Sequence, residues 1–182
     1  ILLALLGLRP AEVCGLHWPD IDLDAGTLNV VTTRTLVMTD QGMQVVEKAP
    51  KTKSGRRSLP LPAQVTAALR TFKALQAAEQ LAAGPAYVPS GYVLVNEVGA
   101  PWKTDQLRRA AHRLMAQAGT RKVRLYDARH ACLTYLATNG VPAAIVSAWA
   151  GHSDLSMAQR VYVHPSAKDL EQGRDALSGL LG

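Results

Sequence analysis

The chain has 182 residues, enough for one domain around one core, and 48% of them are apolar while only 5% are aromatic, so Leu, Val and Ala must do most of the packing. Lys and Arg outnumber Asp and Glu by 20 to 14, a formal net charge of +6 that favours anionic partners, nucleic acid first. No apolar run reaches the roughly 18 residues of a membrane span, the opening run lacks the flanks of a secretory signal, and two unpatterned cysteines, Cys14 and Cys132, suggest buried thiols in a reducing cytoplasm, with no zinc site.

Residues 1–8 read as the end of a buried helix that stops near Gly7. The chain starts inside an apolar run without an initiator Met, which reads as a fragment boundary. Pro10 suits the first turn of the next helix, and Glu12 suits its positive end. Arg9 then stands at a helix start, where outward-pointing N–H groups favour a phosphate.

Residues 20–26 form a turn by composition. Residues 27–37 are rich in Val, Thr and Leu and read as a strand, residues 43–49 as its return, and residues 57–61 as a short third strand. Between the last two lies a basic turn with Lys51, Lys53, Arg56 and Arg57. Such a turn is usually a solvated face; it is also a good probe of a nucleic-acid groove. A helix is expected from Pro62 to about Ala83 on the stripe Val65, Leu69, Phe72 and Leu75, then an exposed loop and an extended segment at residues 92–95.

Thr104 is the expected cap of a helix that ends near Gly119 and carries Arg108 on a basic face. Asp127 is the expected start of the next, ended by Gly140, and Pro142 opens another that stops at Gly151. A further helix carries Tyr162, Pro165 breaks it, and a last helix follows from about Ala167. The fold class expected is mainly α with a small three-stranded antiparallel β-sheet over residues 27–61.

Within this frame Arg9, Arg129, His152 and Tyr162 recur in order, Tyr162 ten residues after His152. A guanidinium fork, an imidazole donor and a phenolic nucleophile are side chains that can act together on one phosphodiester. Taken singly, each has an ordinary structural role: Tyr162 in a core rim, His152 at a helix end, Arg129 in a buried ion pair.

Together the boxes resemble the catalytic domain of the tyrosine recombinases, the phage integrase family, over essentially all 182 residues. The first box is Gly7-Leu8-Arg9 with Glu12, Leu16, Trp18 and Asp20-Ile21-Asp22. The hairpin box is Pro50-Lys51-Thr52-Lys53-Ser54, with Arg57 and Leu59-Pro60-Leu61 after it. Arg129-His130 matches the second arginine box, with Tyr126 where a histidine is expected, and Ala150-Gly151-His152-Ser153 and Tyr162-Val163-His164 match the last two.

The resemblance implies exchange of one DNA phosphodiester for another without metal or cofactor. Tyr162 would be the nucleophile. Arg9 and Arg129 would fork onto the phosphate oxygens, His152 would donate to one of them, and Glu12 would support them. Lys51 is favoured as general acid, with Lys53 as competitor. Tyr126 keeps a hydrogen-bond donor but cannot exchange a proton near neutral pH. Lys53, Arg56, Arg57 and Arg108 are candidate DNA contacts. Residues 1–182 would be the catalytic domain, N-terminally truncated, with the family's core-binding domain absent from this chain. The partners would be double-stranded DNA and, through the C-terminal tail, neighbouring protomers in a synaptic tetramer. Alternatives are a non-cleaving helix-turn-helix reader across residues 133–152, a DNA-relaxing enzyme of the type IB topoisomerase kind, and a degenerate relic. A covalent protein–DNA adduct separates the first of these from an enzyme.

Overall fold

The structure is a computed structural model and describes residues 2–152. Tyr162 and the two helices expected after Gly151 lie outside the described residues. Two short helices, α1 (Leu2–Leu5) and α2 (Pro10–Cys14), open the chain. Pro10 at the first helical position starts α2, and the Glu12 carboxylate accepts the Arg9 backbone N–H at 2.8 Å. Two later helices start alike. In α4 (Thr104–Gln117) Gln106 Oε1 accepts the Lys103 N–H at 2.8 Å, and in α5 (Leu125–Thr138) Asp127 accepts the Arg124 N–H at 3.1 Å. Thr104, the expected cap, and Asp127, the expected start, therefore sit inside their helices, and a basic residue holds each cap position.

The architecture is mainly helical with a small antiparallel sheet, as expected, but the strands are shared out differently. Strands β1 (Ile21–Asp22), β2 (Thr27–Val30) and β5 (Arg57–Pro60) form an antiparallel sheet in the order β1-β2-β5. Strands β3 (Thr33–Thr39) and β4 (Gly42–Lys48) form a separate hairpin. The one strand expected over residues 27–37 thus breaks at Val31 and Thr32. Burial still alternates there, Val30 being 2% and Val31 37% exposed, so the pattern itself carries no sign of the break. The chain also bends tightly over Gly15, where a Cβ would lie 2.7 Å from the Thr32 carbonyl oxygen.

Helix α3 (Ala63–Ala83) turns Val65, Leu69 and Gln76 inward. The buried Gln76 amide accepts from Trp18 Nε1 at 2.5 Å and donates to the carbonyls of Tyr92 and Val93, so it costs little to bury. Residues 92–95, expected as a short strand or extended segment, form isolated bridges, Tyr92 with His17 and Val95 with Pro101. Helix α1 packs on α5, and α2 packs on α4 and β3. A second small cluster, Leu133, Val146 and Ala150, joins α5 to α6 (Ala143–Ala150). Among the described residues no helix is long and apolar enough to cross a membrane.

Candidate active site

The site is built around a buried carboxylate. Glu12 is 2% exposed and lies on α2 between two guanidinium groups. Arg9 Nη1 donates to Oε1 at 2.7 Å. Arg57, from β5, donates Nη1 to Oε1 and Nη2 to Oε2, each at 3.0 Å, as a two-pronged fork. Burial pushes the Glu12 carboxyl upward, but the hydrogen bonds and charge of Arg57, then those of Arg9, outweigh it and hold it below its ordinary value. Glu12 is thus charged at neutral pH and fixes both arginines.

A second buried guanidinium sits on α5. Arg129 is 1% exposed, donates Nη1 to the Gly7 carbonyl at 2.5 Å and Nη2 to the Ala150 carbonyl at 2.6 Å, and approaches His152 Nε2 at 3.3 Å. Burial first, then the charges of Arg9 and Arg57, lower its pKa to about 10, so it stays protonated at pH 7. A guanidinium only donates, so His152 Nε2 must accept, and the imidazole proton resides on Nδ1. That Nδ1 is buried and finds no hydrogen-bond partner among the described residues. Burial, and then the charges of Arg129, Arg9 and Arg57, hold the imidazole below its ordinary value, which keeps it neutral. His152 is therefore a neutral donor with one unused N–H.

The turn that delivers His152 is set by Gly151, which ends α6 in the left-handed conformation at φ 65°. A Cβ there would lie 2.9 Å from Arg57 Nη1 and from the Ser54 carbonyl oxygen, so only glycine fits. Arg57 closes the arrangement from its other nitrogen, with Nε donating to the Trp149 carbonyl at 2.7 Å.

Arg9, Lys51 and His152 together wall a cavity of about 430 Å³, with Glu12 and Gly151 in its lining. Thr52 caps a short turn, Lys53–Gly55, by accepting the Gly55 N–H at 3.1 Å. That turn leaves Lys51 on the cavity wall, while Lys53 is exposed and does not line it. Three guanidinium groups against one carboxylate, with Lys51 beside them, make the surroundings strongly attractive to an anion.

Not every expected site residue reaches the cavity. Arg129 does not line it and meets it through His152. Tyr126, in the first turn of α5, is 45% exposed and packs edge-on against His130 with ring centroids 5.2 Å apart, also away from the lining. Arg57, expected as a DNA contact, has a side chain only 7% exposed because its fork is spent on Glu12; that expectation is corrected. The signal for it was present: β5 alternates, Arg57 shares a face with the buried Leu59, and it pairs across the sheet with the buried Val30. Arg56 and Arg108 are exposed, Arg56 beside a smaller cavity that also touches His152 and Ser147. Among the described residues no group of His, Cys, Asp or Glu is placed to hold a metal ion.

The model of the phage integrase family matches residues 1–169. The chain belongs to the phage integrase family. A tyrosine recombinase XerC-like protein of Caldanaerobacter subterraneus subsp. tengcongensis is 30% identical to this family member over 182 residues, which cover 96% of the chain and 46% of that relative. An integrase of Saccharopolyspora erythraea is 33% identical over 123 residues, covering 68% of the chain and 28% of that protein. The chain thus spans less than half the length of these relatives. In fold it is similar to the Tn1549 transposon integrase in complex with transposon right end DNA, at a TM-score of 0.74 and 22% identity over 97% of this chain and 57% of that one. XerA recombinase follows at a TM-score of 0.65 and 21% identity, covering 96% of this integrase-family chain and 55% of its own.

Proposed function

We propose that this chain is the catalytic part of a site-specific DNA recombinase that cuts and rejoins strands by transesterification. The observation that carries the reading is the cationic cavity walled by Arg9, Lys51 and His152, with a buried charged Glu12 holding it in shape. The Tyr162 phenolate attacks phosphorus and forms the P–O bond of a 3′-phosphotyrosine. The P–O bond to the 5′-oxygen breaks, and the leaving oxygen takes a proton from Lys51. An incoming 5′-hydroxyl reverses the step, so the bond energy is kept in the covalent link.

The transition state spreads charge over the non-bridging oxygens. Arg9 and His152 on the cavity wall are the donors assigned to it, His152 through its unused Nδ1–H. Arg129 acts through His152, fixing its proton on Nδ1. The partners proposed are double-stranded DNA, as in the Tn1549 integrase complex, and neighbouring protomers of the same recombinase. The reaction calls for no cofactor, and the cytoplasm is its proposed place.

The test is adduct formation by the full protein on a nicked duplex carrying its crossover site. The parent is expected to form a phosphotyrosine adduct, and Tyr162→Phe to bind DNA equally and form none. An adduct with Tyr162→Phe would assign the nucleophile elsewhere, and no adduct with the parent would remove the transesterase reading altogether.

A further inference from the structure

Arg57 joins three segments that converge on the cavity from distant parts of the chain. Its fork holds Glu12 on α2, and through Glu12 it sets Arg9. Its Nε binds the carbonyl of Trp149 at 2.7 Å, in the last turn before Gly151 and His152. Its own strand follows the turn that carries Lys51, and Nη1 also donates to the Gly55 carbonyl in that turn at 3.2 Å. The side chain is 7% exposed, so none of this is surface pairing that water would screen. The Gly151 turn is shaped around it, since the ideal Cβ position there lies 2.9 Å from Arg57 Nη1 and 3.3 Å from its Cδ.

We propose that Arg57 is a positioning residue for the strand-transfer reaction: it sets Arg9, the Lys51 turn and His152 relative to one another and does not touch DNA. This rests on the transesterase reading above. A lysine at position 57 keeps the charge but supplies a point donor on a flexible stem, and it cannot bridge Glu12 and the Trp149 carbonyl in one plane. Since the three groups act on the same phosphate, a displacement of about 1 Å at any of them can cost on the order of 100-fold in rate.

The experiment uses the full protein and a nicked duplex bearing its crossover site, with four versions: parent, Arg57→Lys, Arg57→Gln and the double variant Glu12→Gln/Arg57→Gln. DNA affinity is measured from 50 to 200 mM salt, cleavage in single turnover at saturating DNA, and the thermal midpoint by circular dichroism. The expected result is unchanged affinity and salt slope in the single variants, with cleavage down about 10-fold in Arg57→Lys and about 100-fold in Arg57→Gln. In the double variant the neutral pair restores the thermal midpoint, because no buried carboxylate is left alone, while cleavage stays low.

A salt slope reduced by about one, with full cleavage at saturation, would make Arg57 a phosphate contact and overturn the proposal. Cleavage that returns with the thermal midpoint in the double variant would reduce Arg57 to a structural strut. Failure of every variant to fold would place its role in the fold and overturn the proposal equally. An adduct-forming parent with undiminished variants sinks this inference alone, whereas a parent without an adduct sinks the transesterase reading.

Discussion

Replacing Gly151 by alanine tests how tightly the site is closed. Two costs apply. The residue sits at φ 65°, where an L side chain costs roughly 1–2 kcal/mol. The new methyl would also stand 2.9 Å from Arg57 Nη1 and from the backbone oxygen of Ser54, too close for either, and relieving such overpacking costs roughly 1–3 kcal/mol. Gly119 is the control: its φ is 62°, and nothing lies within 4 Å of a Cβ built there. Gly119→Ala should lose only the conformational part. At about 3 °C per kcal/mol for a domain of this size, Gly151→Ala should lower the thermal midpoint by roughly 6–15 °C and Gly119→Ala by about 3–6 °C. Differential scanning calorimetry of the two variants beside the parent gives the comparison. Equal losses would show that the guanidinium and the Ser54 carbonyl have room to move, and that the turn before His152 is not gripped by Arg57.

Further outcomes are expected at the same site. Lys51→Met should abolish cleavage of an ordinary nicked duplex but be rescued by a bridging 5′-phosphorothiolate, whose thiolate leaves without a proton; Lys53→Met should cleave both near the parent rate, and the reverse pattern would move the general acid to Lys53. Tyr126→Phe should cleave near the parent rate in single turnover, since Tyr126 lies off the cavity lining; a slowing of about 5-fold, the worth of one hydrogen bond of about 1 kcal/mol, would return the hydroxyl to the chemistry. Stability should depend on pH through His152. Its folded pKa lies below the ordinary 6.5, so the unfolded chain takes up a proton first; the contribution is whole above pH 6.5 and is lost as the pH falls below it. Urea melts from pH 5 to 8 should show this slope in the parent and a flatter one in His152→Gln. Glu12 adds its own loss only as the pH falls below about 4.5.

Most of the fold was legible because its signals are local. The extent of α3, Pro10 at the start of α2 and the strand returning over residues 43–49 each follow from residues a few positions apart, although Leu75 of the expected α3 stripe is exposed. The split of the expected strand at Val31 and Thr32 was not legible, because the contact made there, with Gly15, lies some way upstream. The starts of α4 and α5 were placed late because Thr104 and Asp127 favour helix starts in general, whereas here the side chains at the third helical positions, Gln106 and Asp127, reach back to basic caps. In the site, Arg9, Glu12, Lys51 and His152 were named through the resemblance to the recombinase boxes, and the fold brings all four to one cavity. Arg57 was counted with its charged neighbours although its place in the strand turns it inward. Composition records a charge but not the direction in which it points.

The bonds that shape the site also fix when it can form. Arg129 reaches back 122 positions to Gly7, Trp149 Nε1 reaches 143 positions to Leu6, and Arg57 spans 92 to Trp149. Long closures of this kind are slow, because each must overcome the entropy of the loop before it gains a contact. A chain still emerging from the ribosome, complete through α5 but short of Trp149, has its sheet and its cationic turn and lacks the anchor for His152. On the proposed transesterase reading, competence to break DNA would thus be acquired late in synthesis, after the surfaces that attract it.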